Sequence, residues 1–303
     1  MKSADKKGVV DVLCIGHACW DLNFSVDRHP EEDEKTIART FSACGGGPAA
    51  NAAVAAARLG VRAAFAGYLG EGTYGDLHLT EFSRDGVDTT LLVRGSRPTP
   101  LSISLIKPDG KRALVNYRGE TLPLAEKRTD CSALRPGVML FDGHEPHISR
   151  SWLAMAESSG IPTVLDAGSL HEGTRHLCTR VTHLVASSKF AASVSGEQDP
   201  QRSLGCLAEM APVAVITMGA DGLLWQRGAA RGRLPAFPVK AVDTTGAGDT
   251  FHGAYAAGLA MGMPFDRLLR FASAAAALCC SVHGARRGIP TLEQTKSYLQ
   301  KVN

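Results

Sequence analysis

Asp249 has the residue type and the setting for proton chemistry. It follows a turn of small residues, Gly246, Ala247 and Gly248, inside the stretch VDTTGAGDTFHGAYAAGLA at 242–260. That stretch ends a β-branched run, turns, and continues with Phe251, Tyr255, Ala256 and Leu259 on one helical face. The pattern puts a carboxylate at a helix N-terminus, where small residues let backbone N–H groups and the helix dipole meet an anion. An anion there would lie beside Asp249, and a carboxylate beside an anion fits a base that deprotonates a hydroxyl as it attacks a phosphoryl group. The other reading is a glycine-rich turn in which Asp249 caps the helix.

Two further glycine-bearing stretches could position ligands. Residues 43–51 read ACGGGPAAN and run into an Ala-rich helix over 52–59 ended by Gly60. Gly46 and Gly47 let a backbone come close to a ligand, Pro48 suits a first helical turn, and Asn51 either binds hydroxyls or serves local donors. ITMGADG at 216–222 reads as strand then turn, with Thr217, Gly219 and Gly222 able to take phosphates or ribose, or only to make the turn. His144-Glu-Pro-His147 has no helical HExxH spacing across Pro146 and reads as loop chemistry rather than a metal site.

These stretches need a frame. Residues 9–15 are a mostly apolar strand closed by Gly16, the pattern of a parallel strand covered on both faces, and Asp21 follows at the edge where such sheets bind ligands. From residue 137 strands and helices alternate, which predicts a doubly wound parallel sheet. The pieces 22–26 and 36–42, joined by a charged loop, and a hairpin over 101–107 and 112–118 around Pro108-Asp-Gly110, predict a small separate β-sheet. Asn116 and Arg118 on it either face a ligand or are solvated edge residues. A second Ala-rich helix is predicted over 265–283 and an amphipathic one over 292–302.

The 303 residues are 44% hydrophobic and 21% charged with a net charge of +3 and no dense basic block, which points away from nucleic acid and membrane surfaces toward small molecules. The polar start, MKSADKKG, is wrongly flanked for a signal peptide, and no run approaches a membrane span. Eight cysteines without CxxC pairs fit free thiols in a reducing cytoplasm.

Taken together, GGGPAAN at 45–51, TMGADG at 217–222 and DTTGAGD at 243–249 resemble the PfkB, or ribokinase-like, sugar kinases over nearly the whole chain. The resemblance implies one domain over 1–303, a three-layer α/β/α core with a mainly parallel sheet, and a β-sheet lid from insertions at about 20–43 and 98–119. It implies ATP as donor, Mg²⁺ on its phosphates, and a homodimer through the lid. Carried over by position, Asp249 is the base and Gly246, Ala247 and Gly248 the anion hole. Asp21, Gly46, Gly47 and Asn51 match sugar-binding positions; Thr217, Gly219, Gly222 and Ser273 match nucleotide positions. Carbonyls around Asp243 and Thr245, with Gly284 in the segment 279–288, match a monovalent-cation site that would take K⁺.

Two departures stand out. Where family members carry Asn-x-x-Glu for the Mg²⁺ water shell, this chain has Ser187-Ser-Lys-Phe190, leaving Ser187 at the nucleotide site and Asp166 or the phosphates to hold the metal. Sulfofructose kinases also lack that motif, and VNY at 115–117, PAFPVKAVDTTGAGDTFHGA at 235–254 and GARRGIP at 284–290 look closest to them. Lys35 and Asn116 fall where that group contacts the sulfonate; His144 stands in place of its arginine, and Asn51 in place of a threonine. The alternatives are a nucleoside kinase, with Trp20, Phe24 and Phe41 as its stacking residues, and a non-catalytic sensor.

Overall fold

The chain is described from a computed structural model, over residues 8–302; the polar start at 1–7 lies outside the described residues. In order it forms β1 (Val9–Ile15), β2 (Cys19–Ser25), β3 (Thr40–Gly46), α1 (Pro48–Arg58), β4 (Ala63–Gly70), α2 (Thr73–Arg84), β5 (Leu92–Gly95), β6 (Leu101–Ile106) and β7 (Arg112–Tyr117). Next come β8 (Arg135–Phe141), α3 (Pro146–Ser159), β9 (Thr163–Ala167), α4 (Glu172–Leu177), β10 (His183–Ser187), α5 (Ser188–Ser195), α6 (Pro200–Met210) and β11 (Val213–Thr217). The chain closes with β12 (Leu223–Arg227), β13 (Ala230–Leu234), α7 (Ala247–Ala260), α8 (Phe265–Cys279), α9 (Ala285–Gly288) and α10 (Leu292–Lys301).

A nine-stranded sheet in the order β13-β12-β11-β10-β9-β8-β1-β4-β5 forms the middle layer, parallel from β11 to β5 and antiparallel at the β12–β13 edge. Its central strands are mostly apolar because both faces are covered, while the edge strands β5, β12 and β13 carry arginines and are partly exposed. Along β1, Val12 and Cys14 enter one core with α1, α7 and α8, while Leu13 and Ile15 enter the other with α3, α5 and α6. This is the expected α/β architecture.

The second sheet has the order β3-β2-β6-β7. Register places Asp21, Cys44, Ser102 and Asn116 in one cross-strand row, and Leu22, Ala43, Ile103 and Val115 in the next, on the opposite face. The small sheet is therefore polar on one side and apolar on the other, and the exposed apolar residues Val115, Tyr117 and Phe41 lie on the latter.

Several boundaries differ from the sequence expectation. The strands expected at 22–26 and 36–42 are β2 and β3, shifted toward the residues that carry Asp21 and the glycine run. Three helices begin earlier than their apolar periodicity suggests, each on a proline in its first turn: Pro48, Pro146 and Pro200. Pro146 does not leave a loop; its missing N–H is harmless at a helix start, so it opens α3. The helix expected through residue 283 stops at Cys279: the Cys280 carbonyl is taken by the amides of Val242 and Asp243, and the chain turns to Gly284, which caps α9 with φ 90°.

Candidate active site

The phosphate-type turn is built first. Gly246 sits at the N-cap of α7 with φ 76°, a left-handed conformation that favours glycine, and no side chain caps the helix. Asp249 is three positions further on and does not serve as the cap. Its Oδ2 instead accepts a 2.8 Å hydrogen bond from Asn51 Nδ2, across from the start of α1. Burial pushes the Asp249 carboxyl above its ordinary value, and the Asn51 bond opposes that push. A carboxylate freed from capping and held beside uncapped helix amides can act as a base.

The second glycine turn contributes the opposite wall. An added Cβ on Gly46 would lie 2.3 Å from Asp21 Oδ2, so the Asp21 carboxylate rests directly on that glycine. Gly47 lies against the backbone of His17. Burial raises Asp21 to about 6, moderated by the Cys19 thiol, which donates to it over 3.3 Å, and by the charge of Arg286. Asp21, Gly46, Gly47, Asn51 and Asp249 thus converge from β2, the β3–α1 turn and α7. Asn23, two residues from Asp21 on the same face of β2, is buried with both side-chain amide atoms unpaired.

Thr217, Gly219, Gly222 and Ser273 line one cavity of about 470 Å³ together with Thr244, Ala247 and Gly248. Its far wall is apolar, formed by Ala236, Phe237, Pro238, Val239, Ala276 and Ala277. A flat, largely apolar slot that leads to a helix N-terminus can hold a ring at one end and phosphates at the other. Ser187 is not among its lining residues: its hydroxyl caps α5 by accepting from Phe190 N at 3.0 Å and donates to Gly168 O at 2.8 Å.

The remaining predicted residues spread further out. Asn116 shares the face of Asp21 but is exposed. Lys35 lies exposed in the β2–β3 loop and forms no hydrogen bond or ion pair among the described residues. His144 stacks on His171 with ring centroids 4.6 Å apart and lies 5.4 Å from His17. Burial lowers His17 to about 4 and also lowers His171, and the Arg118 charge acts on both in the same direction. Beneath this trio, the Asp142 carboxylate accepts from the backbone amides of His17, Ala49 and His144.

Asp243 braces rather than lines. Its carboxylate accepts from Thr245 N and from Gly284 N, both at 2.8 Å, tying the phosphate-type turn to α9. The carbonyls of Thr245 and Ala285 both face the Cys279 thiol, at 3.9 and 3.6 Å. Among the described residues no group of three or more His, Cys, Asp or Glu is arranged to hold a metal ion. Asp166, raised to about 7 by burial, has an Oδ2 that is buried without a hydrogen-bond partner, although His252 Nδ1 lies 3.3 Å away.

Sequence reasoning missed four contributors. Arg112, on the small sheet, hydrogen-bonds Thr245 Oγ1 in the phosphate-type turn and bears electrostatically on both Asp21 and Asp249. Arg286 is buried against Asn51, and His17 and His171 complete the imidazole stack. The available signal was the pair Arg286-Arg287 in the loop GARRGIP at 284–290, which does not say which of the two is buried.

Comparison with known proteins follows the same lines. The pattern described as pfkB family carbohydrate kinase matches residues 10–292. The ribokinase of Bacillus subtilis (strain 168) is 27% identical over 294 residues, 95% of this chain and 99% of that protein. The 5-dehydro-2-deoxygluconokinase of Shouchella clausii is 27% identical over 318 residues, 96% of each. A crystal structure from Agrobacterium tumefaciens, provisionally assigned as a ribokinase, superposes with a TM-score of 0.90 at 30% identity, covering 97% of this chain and 98% of that one. Arabidopsis thaliana ribokinase, solved with ribose and ATP, shares the fold at a TM-score of 0.83 and 23% identity, over 96% and 99% of the two chains.

Proposed function

Because the chain belongs to the pfkB family of carbohydrate kinases and is an ATP-dependent sugar kinase, we propose that it phosphorylates a primary hydroxyl of a ketose or furanose, with 6-deoxy-6-sulfofructose as the leading substrate. The observation that carries the site assignment is the junction at α7. The cavity with Thr217, Gly219 and Gly222 ends on Gly248, and one residue further Asp249 meets Asn51 from the sugar side. ATP would place its γ-phosphate at the uncapped amides while Asp21 and Asn51 orient the sugar. Asp249 then takes the hydroxyl proton as the oxygen attacks. The amides of 246–248 stabilise charge on the transferring group, and Arg112 adds a cation from the small sheet.

Mg²⁺ supplies charge neutralisation on the phosphates when bound. A Mg²⁺ ion held mainly by phosphates and water needs few protein ligands, and the unpaired Asp166 Oδ2 fits a contact with its water shell. The Thr245 and Ala285 carbonyls, faced by the weak thiol donor of Cys279, fit K⁺, with Asp243 holding their loop in shape.

The Arg118 charge that reaches His17 and His171 supports a substrate that carries an anion at its distal end; these two imidazoles, kept neutral by burial, would contribute N–H donors rather than charge. The sugar reading is preferred over a nucleoside. Trp20 is packed against Tyr74 and His78, and Phe24 and Phe41 pair on the apolar face of the small sheet, so none of the three is placed to stack on a base in the cleft. That apolar face is proposed to seat a second copy of this chain; a solution mass equal to one chain by light scattering would refute this.

The direct test supplies ATP with sugars bearing a distal sulfonate, phosphate, carboxylate or hydroxyl, and adenosine, and measures ADP release. The expected result is turnover of sugars, best with the distal sulfonate, and loss of about 10²- to 10⁴-fold in kcat for Asp249→Asn with nucleotide binding retained. Turnover of adenosine alone would overturn the substrate class, and an active Asp249→Asn enzyme would overturn the base.

A further inference from the structure

Arg286 brings a permanent charge into the interior. It is only 1% exposed, one of the largest fully buried side chains. Its Nε and Nη2 donate to Asn51 Oδ1 at 3.3 and 3.2 Å, and its Nη1 donates to Glu81 Oε2 at 3.1 Å. The guanidinium carbon lies 5.3 Å from the centre of the Phe82 ring. An added Cβ on Gly45 would fall 2.2 Å from Nη1, so the glycine run of the sugar-side turn is shaped around this side chain.

The consequence lies in Asn51. The two ends of an amide have nearly the same shape, and only polar neighbours fix which end points where. Two guanidinium donors on one end select oxygen there. The other end must then be the Nδ2 that donates to Asp249 Oδ2 at 2.8 Å. Were the amide reversed, Oδ1 would face a carboxylate oxygen, and two acceptors can share that space only when Asp249 takes a proton. A protonated Asp249 is no longer a base.

We infer that Arg286 is a positioning residue of the phosphoryl-transfer step: through Asn51 it holds Asp249 ionised and in one orientation. The inference rests on the reading of Asp249 as the base. The arginine is well placed for this role, because α9 also meets the other half of the site. Gly284 N donates to Asp243, and Ala285 packs against Gly246, where an added Cβ would lie 2.6 Å from its own. One short helix thus braces the phosphate-side turn at one end and the base, through Asn51, at the other.

The test is the pH dependence of kcat. Removing Arg286 alone strands the Glu81 carboxylate, so the informative variant is Arg286→Met with Glu81→Gln, in which the ion pair leaves together. The acid limb is expected to move up by about one pH unit, with about a tenfold loss of kcat at pH values on the parent's acid limb, little loss on the plateau above it, and an unchanged KM for ATP. Arg286→Lys, which keeps a cationic donor toward Oδ1, should restore the limb most of the way. In an Asn51→Leu background, which removes the amide, the Arg286 change should add no further loss of kcat. An unmoved acid limb in the double variant, or full additivity in the Asn51→Leu background, overturns the inference. Asp249→Asn is measured beside them, so a failed base assignment shows there and not in the limb.

Discussion

Two glycine-bearing turns face each other across the cleft and look alike as sequence, yet they are built for opposite purposes. The sugar-side turn, Gly45 to Gly47, is fully buried and its glycines are filled in by the protein itself: the Arg286 guanidinium, the Asp21 carboxylate and the His17 backbone. The phosphate-side turn, Gly246 to Gly248, is partly open, and Gly248 has nothing within 4 Å of the place a Cβ would take. In one turn glycine makes room for the protein's own side chains, which then present oxygen and nitrogen to a sugar. In the other it leaves backbone amides bare toward an occupant that is not part of the chain.

The comparison breaks most sharply under a single added methyl group. Gly248→Ala should fold as well as the parent or slightly better, since alanine favours a helix by about 0.5–1 kcal/mol over glycine. Its kcat should nonetheless fall by about 10²- to 10³-fold, the loss typical when a donor set can no longer close on developing charge. Gly46→Ala should do the reverse. Its methyl would sit 2.3 Å from Asp21 Oδ2, and overpacking of this kind costs about 1–3 kcal/mol. Tm should drop and the KM for sugar should rise, with the KM for ATP unchanged. Thermal melts and steady-state kinetics on the pair decide the matter: a destabilised Gly248→Ala beside a normal Gly46→Ala would reverse the assignment of the turns.

The same contrast explains what could be seen in the sequence. The phosphate-side turn was legible because its chemistry is local: DTTGAGD runs through bare turn and carboxylate in seven residues, although the strand expected to lead into it is loop, since β13 ends at Leu234. The sheet was legible because a strand covered on both faces must be mostly apolar, as at Val9–Ile15, where Asp11 is the one charged residue. The sugar-side turn was half legible. Gly46, Gly47 and Asn51 stand in one run, but the partner that fills the turn, Arg286, is 235 residues from Asn51. No local pattern marks an arginine as buried, and the same holds for His17 and His171, which meet His144 from other strand ends. Prolines misled where they stood before the first apolar turn, because Pro146 reads as a breaker and acts as a helix start. The short strands β5 and β13 escaped because Arg94, Arg231 and Arg233 interrupt them and they are incompletely buried.

The last expected effect, comparable in size to the Gly46→Ala cost, concerns the carboxylate that rests on the packed turn. Asp21 is nearly enclosed, and burial raises its pKa from 3.8 to about 6. Between those values the folded chain holds a proton at Asp21 that the unfolded chain releases, so the contribution of Asp21 to stability is most favourable below about pH 4 and falls as pH rises toward 6. Above that the ionised carboxylate costs the fold up to about 3 kcal/mol, from about two pKa units at 1.36 kcal/mol each. Asp21→Asn keeps the shape and removes the charge. It should melt higher than the parent at pH 7.5, with the advantage fading as pH is lowered toward 4, while the KM for sugar rises. An advantage that stayed the same at both pH values would mean that the charge of Asp21 is not what the packed turn tolerates. A turn that carries an ionised carboxylate at a cost to stability is organised for a ligand that offers hydroxyl donors, whereas the bare turn opposite offers backbone donors to an anion.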